Sequence, residues 1–511
     1  MSGAAAQSAT IDFLASGGLG EPVERVDTHG AVVLLGRERA WKLKRDVRYS
    51  FMDFSTLDRR RAAIEAELLL NRRTAPELYL RTFPVTRTQD GLFLDGPGEP
   101  VEWLLEMRRF PAEAELDRIA GQGPLDQRLL EDLAREIAAF HSKAEVHTEV
   151  AGADAVRQVV EGNCDDLEGL TADALDPVAV AALNAASREA VARQAALLDR
   201  RAAAGCVRHC HGDLHLSNIV LLDGRPVLFD CLEFDERLAT IDVLYDLAFL
   251  LMDLLHEGHR PEALTVLQTY EDVTDGAEGL ALLPLFLSMR AAIRAKVSGL
   301  NARVEPDPAA AEAARASARS YLDLALQAIR PPPPALLAIG GRSGTGKSTL
   351  AFALAPILEP MPGAMVLRSD VIRKSLFGKR PDERLPPEAY TPEVSERVFA
   401  RIAERAGAFL AAGRSVICDG VYGRPEQRAA IEAVARGTGV AFEGLWLRGP
   451  EQVLVQRVED RTGDASDADG EVVRAQARHI DETGLRWKPF DASAPAADVE
   501  RAVRTHLNIM P

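Results

Sequence analysis

Two stretches of this chain combine residue types that handle phosphate esters. In His211-Gly-Asp213-Leu-His-Leu-Ser-Asn218 an amide follows a carboxylate by five positions. Asp213 is thus the candidate base for the proton of an attacking hydroxyl, and Asn218 can hold a magnesium ion through its amide oxygen. Beyond it the apolar run Val227-Leu-Phe leads to Asp230, a second carboxylate for the metal. In Gly341-Arg-Ser-Gly344-Thr-Gly346-Lys347-Ser348-Thr349 the glycines let backbone amides surround phosphates. There Lys347 reaches the outer phosphate oxygens and Ser348 offers a hydroxyl to magnesium. One phosphotransfer site needs only one of these patterns, so the sequence predicts two ATP-handling units in one chain.

The surrounding sequence must place these groups. Ala335 to Gly340 reads as a buried parallel strand and Thr349 to Leu358 as a helix, the strand, loop and helix order that a phosphate-binding loop requires. Further on, Val366-Leu-Arg-Ser-Asp370 and Val416-Ile-Cys-Asp419 read as strands ending in carboxylates, with Arg373 just after the first and Arg457 and Arg461 on a later helix. Upstream, Ala31 to Leu35 and Ala40 to Leu43 read as strands around the turn Gly36 to Arg39, Leu57 to Arg73 as a helix, and Val101 to Met107 as another strand. Ile219 to Leu222 and Val227 to Phe229 flank the turn Asp223-Gly224, and the chain from Leu129 onward is otherwise mostly helical. A small sheet lobe of about residues 20–110 precedes a helical lobe of about 111–330. Pro331-Pro-Pro-Pro334 forms a stiff extended spacer, which sets expected domains of 1–330 and 335–511 that fold independently.

Composition narrows the function classes. At 511 residues the chain exceeds a single core, and 47% apolar with 27% charged residues is ordinary for a globular protein. The formal charge of −17 lies wholly before residue 335, which disfavours nucleic acid as a partner of that part; the remainder is neutral and shows no basic stripe. No basic, apolar leader opens the sequence, and no apolar run spans a bilayer, so the chain is expected in the cytoplasm with no membrane partner. Its 5 cysteines are expected to be reduced thiols. Cys206, His209, Cys210 and His211 are too crowded for a zinc site without a second ligand pair.

The His211 to Asn218 pattern, with Asp230 after it, resembles the aminoglycoside phosphotransferase family over roughly residues 20–300. That resemblance implies an α+β, two-lobed protein-kinase-like fold with ATP between its lobes. It implies Lys42 as the phosphate-binding lysine with Lys44 as the alternative, and Glu67 as its helix partner with Glu65 as the alternative. It also places Met107 and Arg108 at the hinge beside adenine and makes Asp246 a brace of the catalytic loop. A Gly-x-Gly-x-x-Gly loop is missing, as it often is in that family. The later motifs resemble P-loop kinases such as gluconate kinase, chloramphenicol phosphotransferase, zeta-type toxins and phage polynucleotide kinase, over about 335–505. This implies an α/β P-loop fold with a parallel sheet. Asp370 would be its base, Arg373 would hold the substrate, Asp419 would support magnesium or substrate, and Arg457 and Arg461 would close as a lid.

The resulting expectation is a bifunctional kinase, dependent on ATP and Mg2+, that acts on hydroxyl groups of small molecules. Two alternatives remain open at this point. The C-terminal half could phosphorylate 5′-hydroxyls of nucleic acid, or one half could sense nucleotide to regulate the other.

Overall fold

The computed structural model describes residues 3–48, 52–380, 382–460 and 465–509. The chain divides into two compact units, one of residues 1–159 and 193–257 and the other of 160–192 and 258–511.

The first unit begins with helix α1 (Gly3–Phe13) and a six-stranded antiparallel sheet. Its strands are β1 (Glu24–Asp27), β2 (Ala31–Leu35), β3 (Arg39–Lys44), β4 (Tyr79–Thr88), β5 (Gly91–Leu94) and β6 (Glu99–Arg108), in the order β1-β2-β3-β6-β4-β5. Side chains alternate between faces along a strand. Trp41 and Leu43 therefore pack with Val32, Leu34, Phe83 and Leu104 against Ile11 and Leu14. Ala40 packs on the other face with Leu105, Met107 and Tyr79, and Lys42 and Lys44 share that parity. Helix α2 (Leu57–Asn71), capped by the Thr56 hydroxyl on the Arg59 N–H, contributes Ile64 to the same inner core.

Three further parts of this unit matter for the site. Helix α3 (Gln127–Lys143) carries His141, and strand β7 (Val207–His209) pairs with β10 (Thr240–Asp242). The hairpin β8 (Ile219–Leu222) and β9 (Arg225–Leu228) follows the His211 motif and lends Val220, Leu222 and Val227 to the core around Met107. Helix α4 (Val243–His256) starts at Asp242, which accepts the Leu244 N–H at 2.8 Å and pairs with Arg201 at 2.7 Å.

In the second unit helix α5 (Arg260–Thr274) precedes a helical hairpin of α6 (Leu283–Val304) and α7 (Pro308–Ile329). The four prolines, in neither helix nor strand, lead from α7 into β11 (Ala335–Gly341). A parallel sheet follows with β12 (Met365–Arg368), β13 (Val416–Asp419), β14 (Ala441–Arg448) and β15 (Lys488–Asp491), in the order β12-β13-β11-β14-β15. Its helices are α8 (Lys347–Leu354), α9 (Ser369–Leu376), α10 (Pro392–Ala411), α11 (Pro425–Thr438), α12 (Glu451–Glu459), α13 (Gly470–His479) and α14 (Ala496–His506). The sheet's edge strand β12 is covered by α5: Gln268 accepts the Val366 N–H at 2.8 Å. Arg260 donates to Pro362 O at 3.0 Å and pairs with Glu359 at 2.8 Å. Arg405 of α10 pairs with Asp272 at 3.2 Å, and Arg401 with Asp275 at 3.0 Å.

Some expected boundaries move. Asp230 lies beyond the end of β9 rather than on it, with a left-handed φ of 60°. Asp370 is in the first turn of α9, where a helix favours an acidic side chain, and not at a strand end. The helix after the phosphate-binding loop stops at Leu354 and continues as a 3-10 turn over Ala355–Ile357, because Pro356 supplies no N–H. The hairpin of β4 and β5 carries no clear sequence signal. Pro84 argues against an interior strand, and β4 accommodates it beside register shifts at Tyr79/Arg81 and Val85/Thr86. Among the described residues no helix is long and apolar enough to cross a membrane.

Candidate active sites

In the first unit, the alternation of β3 aims Lys42 and Lys44 at one carboxylate. Glu67 reaches Lys42 with Oε1 at 2.7 Å and Lys44 with Oε2 at 2.6 Å. Lys42 also bonds Asp230 at 2.7 Å, and Lys44 pairs with Glu233. Glu67 and Lys44 are buried, Lys42 and Glu233 are mostly covered, and Asp230 is the most open member. Burial works to raise the pKa of Glu67, but the two lysines outweigh it and hold the carboxylate well below its ordinary range. Burial likewise works against charge on Lys42, and Asp230 and Glu67 more than offset it, so Lys42 stays protonated. Glu65 does not join this cluster. It points outward and pairs with Arg61 at 2.8 Å.

The His211 to Asn218 loop is pinned from below. Asp246 of α4 accepts the N–H of His211 at 3.0 Å and of Gly212 at 2.9 Å, and lies 3.2 Å from His141 Nε2. Two turns along the same helix, Asp253 accepts the Leu216 N–H at 3.0 Å. Asn218 spends its amide N–H groups on Asp213, donating to the backbone O at 2.9 Å and to Oδ2 at 3.0 Å, so its Oδ1 is turned away from the loop. The His211 imidazole donates to Phe229 O at 2.9 Å, tying the loop to the residue before Asp230. The Asp230 N–H in turn donates to the Tyr79 hydroxyl at 3.0 Å, and the Cys231 N–H to Asn71 Oδ1 at 2.8 Å. Asp213 and Asp230 are each about two-fifths exposed, at 42% and 40%, the only open carboxylates of this group. Met107 stands in an apolar cluster with Ala40, Val220 and Val227, with Phe110 and Phe229 beside it.

Tyr79, Asn71, Glu233 and Asp253 are the members to which the sequence assigned no role. Asp253 had a signal, since it repeats Asp246 after two helical turns. The others belong to segments whose mutual approach no local pattern encodes.

In the second unit, β11 is buried almost throughout and ends in a loop that only glycine can build. At Gly341 the φ is +136°, and a Cβ would stand 2.4 Å from Leu447 O; at Gly344 the φ is +81°, and a Cβ would stand 2.5 Å from Leu454 O. The loop opens into a cavity of about 670 Å³. Gly344, Gly346, Lys347, Ser348 and Thr349 line one side of it, and Asp370, Arg373, Asp419 and Arg457 also face it. A smaller hollow of about 260 Å³ shares Gly344, Gly346, Thr349 and Arg457, and continues between Leu350, Ala353, Ala494 and Val499.

Ser348 donates to Asp419 at 2.5 Å, and the Lys347 ammonium donates to Arg342 O at 3.0 Å. Burial raises the pKa of Asp419, with Lys347 and Ser348 pulling the other way. Arg457 donates to Ala492 O at 2.6 Å at the mouth of the smaller hollow. Arg461 lies outside the described residues. Residues from the Pro-rich, charged stretch 377–391 help to close the cavity. Asp467 accepts from the Tyr390 hydroxyl at 2.8 Å and the Leu385 N–H at 3.0 Å, and pairs with buried Lys374 at 3.3 Å. Gln476 of α13 bonds Ser343 within the phosphate-binding loop.

Two stretches of the chain match known families. Residues 39–283 match the Phosphotransferase enzyme family and residues 336–483 match an AAA domain. Uncharacterized proteins of Mycobacterium tuberculosis and Mycobacterium bovis are 31% identical over 478 residues, covering 92% of this chain and 92% of theirs. Among solved structures, a gluconokinase from Sinorhizobium meliloti is 24% identical with a TM-score of 0.25, covering 34% of this chain and 92% of its own. A choline/ethanolamine kinase family protein from Mesorhizobium loti is 13% identical with a TM-score of 0.39, covering 64% and 99%. The chain belongs to the family of these mycobacterial proteins, a phosphotransferase domain of the kinase-like type joined to a P-loop kinase domain.

Proposed function

We propose that this chain is a bifunctional phosphotransferase, dependent on ATP and magnesium, that phosphorylates hydroxyl groups of small molecules at two sites. The observation that carries this reading is the cavity of the second unit. It presents a phosphate-binding set, Lys347 with the amides around Gly344 and Gly346, and a carboxylate, Asp370, to one space. Asp370 accepts the proton of an acceptor hydroxyl whose oxygen takes the γ-phosphoryl group, and ADP leaves. Lys347 neutralises phosphate charge, and Arg457 lies where fixed positive charge favours the transfer.

The first unit supports the same chemistry with different parts. Asp213 is held by Asn218 in a loop fixed from beneath, which suits a base that must meet a hydroxyl in one orientation. Lys42, positioned by Glu67, binds phosphate, and the apolar cluster at Met107 receives the base of the nucleotide. The donor sets fit magnesium: Asn218 spends only its amide N–H groups on the loop, Asp230 keeps an exposed carboxylate, and Ser348 stands beside Asp419. When bound, the ion screens the charge on the phosphates.

The test is a phosphorylation screen of a metabolite pool with labelled ATP, comparing the wild type with Asp213→Ala and Asp370→Ala. Two product sets, each lost in one variant, support the proposal. A single set lost in both variants would make one unit a regulator of the other, and labelled oligonucleotide in place of metabolite would make the second unit a nucleic-acid kinase.

A further inference from the structure

Two charges of the first unit are covered by protein and have no part in the chemistry proposed above. The Lys44 side chain is 3% exposed and that of Glu233 9%, against 14% for Lys42 and 40% for Asp230. A buried ion pair is weak evidence for a stabilising role, because desolvation of both groups opposes their attraction. Around this pair stand Glu67, Lys42 and Asp230, which makes three carboxylates to two ammoniums. Arg60 and Glu102 lie beyond and pair with each other at 2.9 Å. Gln7 joins the two groups, donating to Lys44 O at 2.9 Å and to Glu102 at 2.7 Å.

The charges alternate in sign along a line from Lys42 through Glu67 and Lys44 to Glu233. Glu67 is fully buried, and neither of its oxygens takes a hydrogen bond from any other described residue. The two lysines alone, 2.7 Å from Oε1 and 2.6 Å from Oε2, set its orientation. Lys42 has two carboxylates, Glu67 and Asp230, each at 2.7 Å. When Lys42 takes phosphate and Asp230 takes magnesium, their bond to each other opens. Glu67 is then the one carboxylate left to aim Lys42, and Lys44 is the side chain that keeps Glu67 from turning. Lys44 is itself fixed by its pair with Glu233, by the Phe54 ring 5.5 Å from its ammonium and by Gln7 on its carbonyl. Glu233 belongs to the segment that carries Asp230. That segment is tied to the His211 to Asn218 loop by the Leu232 N–H on His211 O at 3.0 Å, and to α2 by the Cys231 N–H on Asn71 at 2.8 Å.

We propose that Lys44 and Glu233 are positioning residues of the first site, which lock Glu67 so that Lys42 stays aimed at the phosphates once Asp230 has turned to magnesium. This rests on the reading of that site as a phosphotransfer site. Lys44 acts through Glu67 and does not itself meet the nucleotide. A lysine stem has many rotamers, and a fixed partner is what keeps its ammonium in one place.

Calorimetry of the full chain with magnesium and a non-hydrolysable ATP analogue reads the effect, beside the melting temperature. The first site's share of the binding is the part that Asp230→Ala removes. Lys44→Met takes away the ammonium at similar length and leaves one lysine among three carboxylates, so it should lower both the melting temperature and this affinity. Lys44→Met combined with Glu233→Gln removes one charge of each sign and restores the wild-type balance. It should recover most of the melting temperature while the affinity at the first site stays about tenfold below the wild type, as expected when a charge-assisted contact is no longer aimed. Affinity that returns together with the melting temperature would show a purely structural pair and overturns the proposal, as does wild-type affinity in Lys44→Met. If neither variant folds, Glu233→Gln alone decides. It leaves Lys44 on Glu67 without its second carboxylate and should weaken binding several-fold, and unchanged affinity overturns the proposal. A wild type from which Asp230→Ala removes no nucleotide binding refutes instead the reading of the first site on which the proposal rests.

Discussion

Gln476 and Ser343 hold each other twice: the Ser343 N–H donates to Gln476 Oε1 at 2.8 Å, and Gln476 Nε2 donates to Ser343 Oγ at 3.1 Å. A side chain from α13 is thereby fixed to the phosphate-binding loop. Val472, Ala475 and Ile480 from the same segment line the cavity, so the pair sets how far that wall stands from Asp370. Gln476→Ala should loosen α13 by about 1–2 kcal/mol, the worth of two neutral hydrogen bonds. Hydrogen exchange in α13 should accelerate and KM for the acceptor should rise several-fold, with little change in the global melting temperature. Unchanged exchange would show that α13 is held by its apolar contacts instead.

Asp246 and Asp253 both hold the His211 to Asn218 loop from α4, but unequally. Asp246 satisfies two backbone N–H groups and neighbours His141, whereas Asp253 satisfies one. Asp246→Ala strands several buried donors and should cost about 3–5 kcal/mol, against about 1–3 kcal/mol for Asp253→Ala. Chemical denaturation of the two variants gives the order directly, and Asp213-dependent transfer should fall further in Asp246→Ala.

Glu67 should make the first unit acid-sensitive. Its folded-state pKa lies below the ordinary value of 4.5, so the stabilisation from its lysine pairs is fully present above that value. It is lost as pH falls below 4.5 and through the lowered pKa. Glu67→Gln should cost about 3–5 kcal/mol at neutral pH by leaving buried lysines short of a partner. The variant should also lose less further stability than the wild type on acidification. Parallel denaturation curves for the two proteins across that range would contradict the assignment.

Metal and phosphate roles separate by calorimetry and turnover. Asp230→Ala should weaken magnesium-ATP binding at the first site, while Asp213→Asn should keep binding and lose transfer, because an amide preserves the loop and cannot take the proton. Lys347→Ala should abolish transfer at the second site and leave the Asp213-dependent activity in place. Equal magnesium-ATP affinity in the wild type and Asp230→Ala would remove Asp230 from the metal site.

Local patterns carried most of what the sequence revealed. Strand β2 falls at Ala31–Leu35 and β8 at Ile219–Leu222, as their apolar runs imply, and the glycine loop follows its strand as the motif requires. The choice among Lys42, Lys44, Glu65 and Glu67 was not local. Parity along β3 puts both lysines on one face, but only the packing of α2 decides that Glu67 meets both and Glu65 meets solvent. The closure of the second cavity was legible only in part: the Pro-rich, charged stretch 377–391 points to the acceptor pocket, but the residues that tie it down do not. Asp467, Tyr390 and Lys374 come from three separate segments, and each alone reads as an ordinary surface residue.

The four prolines lie just ahead of β11, yet the roof over strand β12 is encoded before them. Val366 gives its outward N–H to Gln268, and Arg260 holds the turn that leads into β12. A recombination event that cut at the prolines would release a kinase whose first sheet edge is bare and open to pairing with other chains. The heritable module is therefore longer than the P-loop fold. Any fission or exchange of this half that keeps it soluble has to carry α5 along.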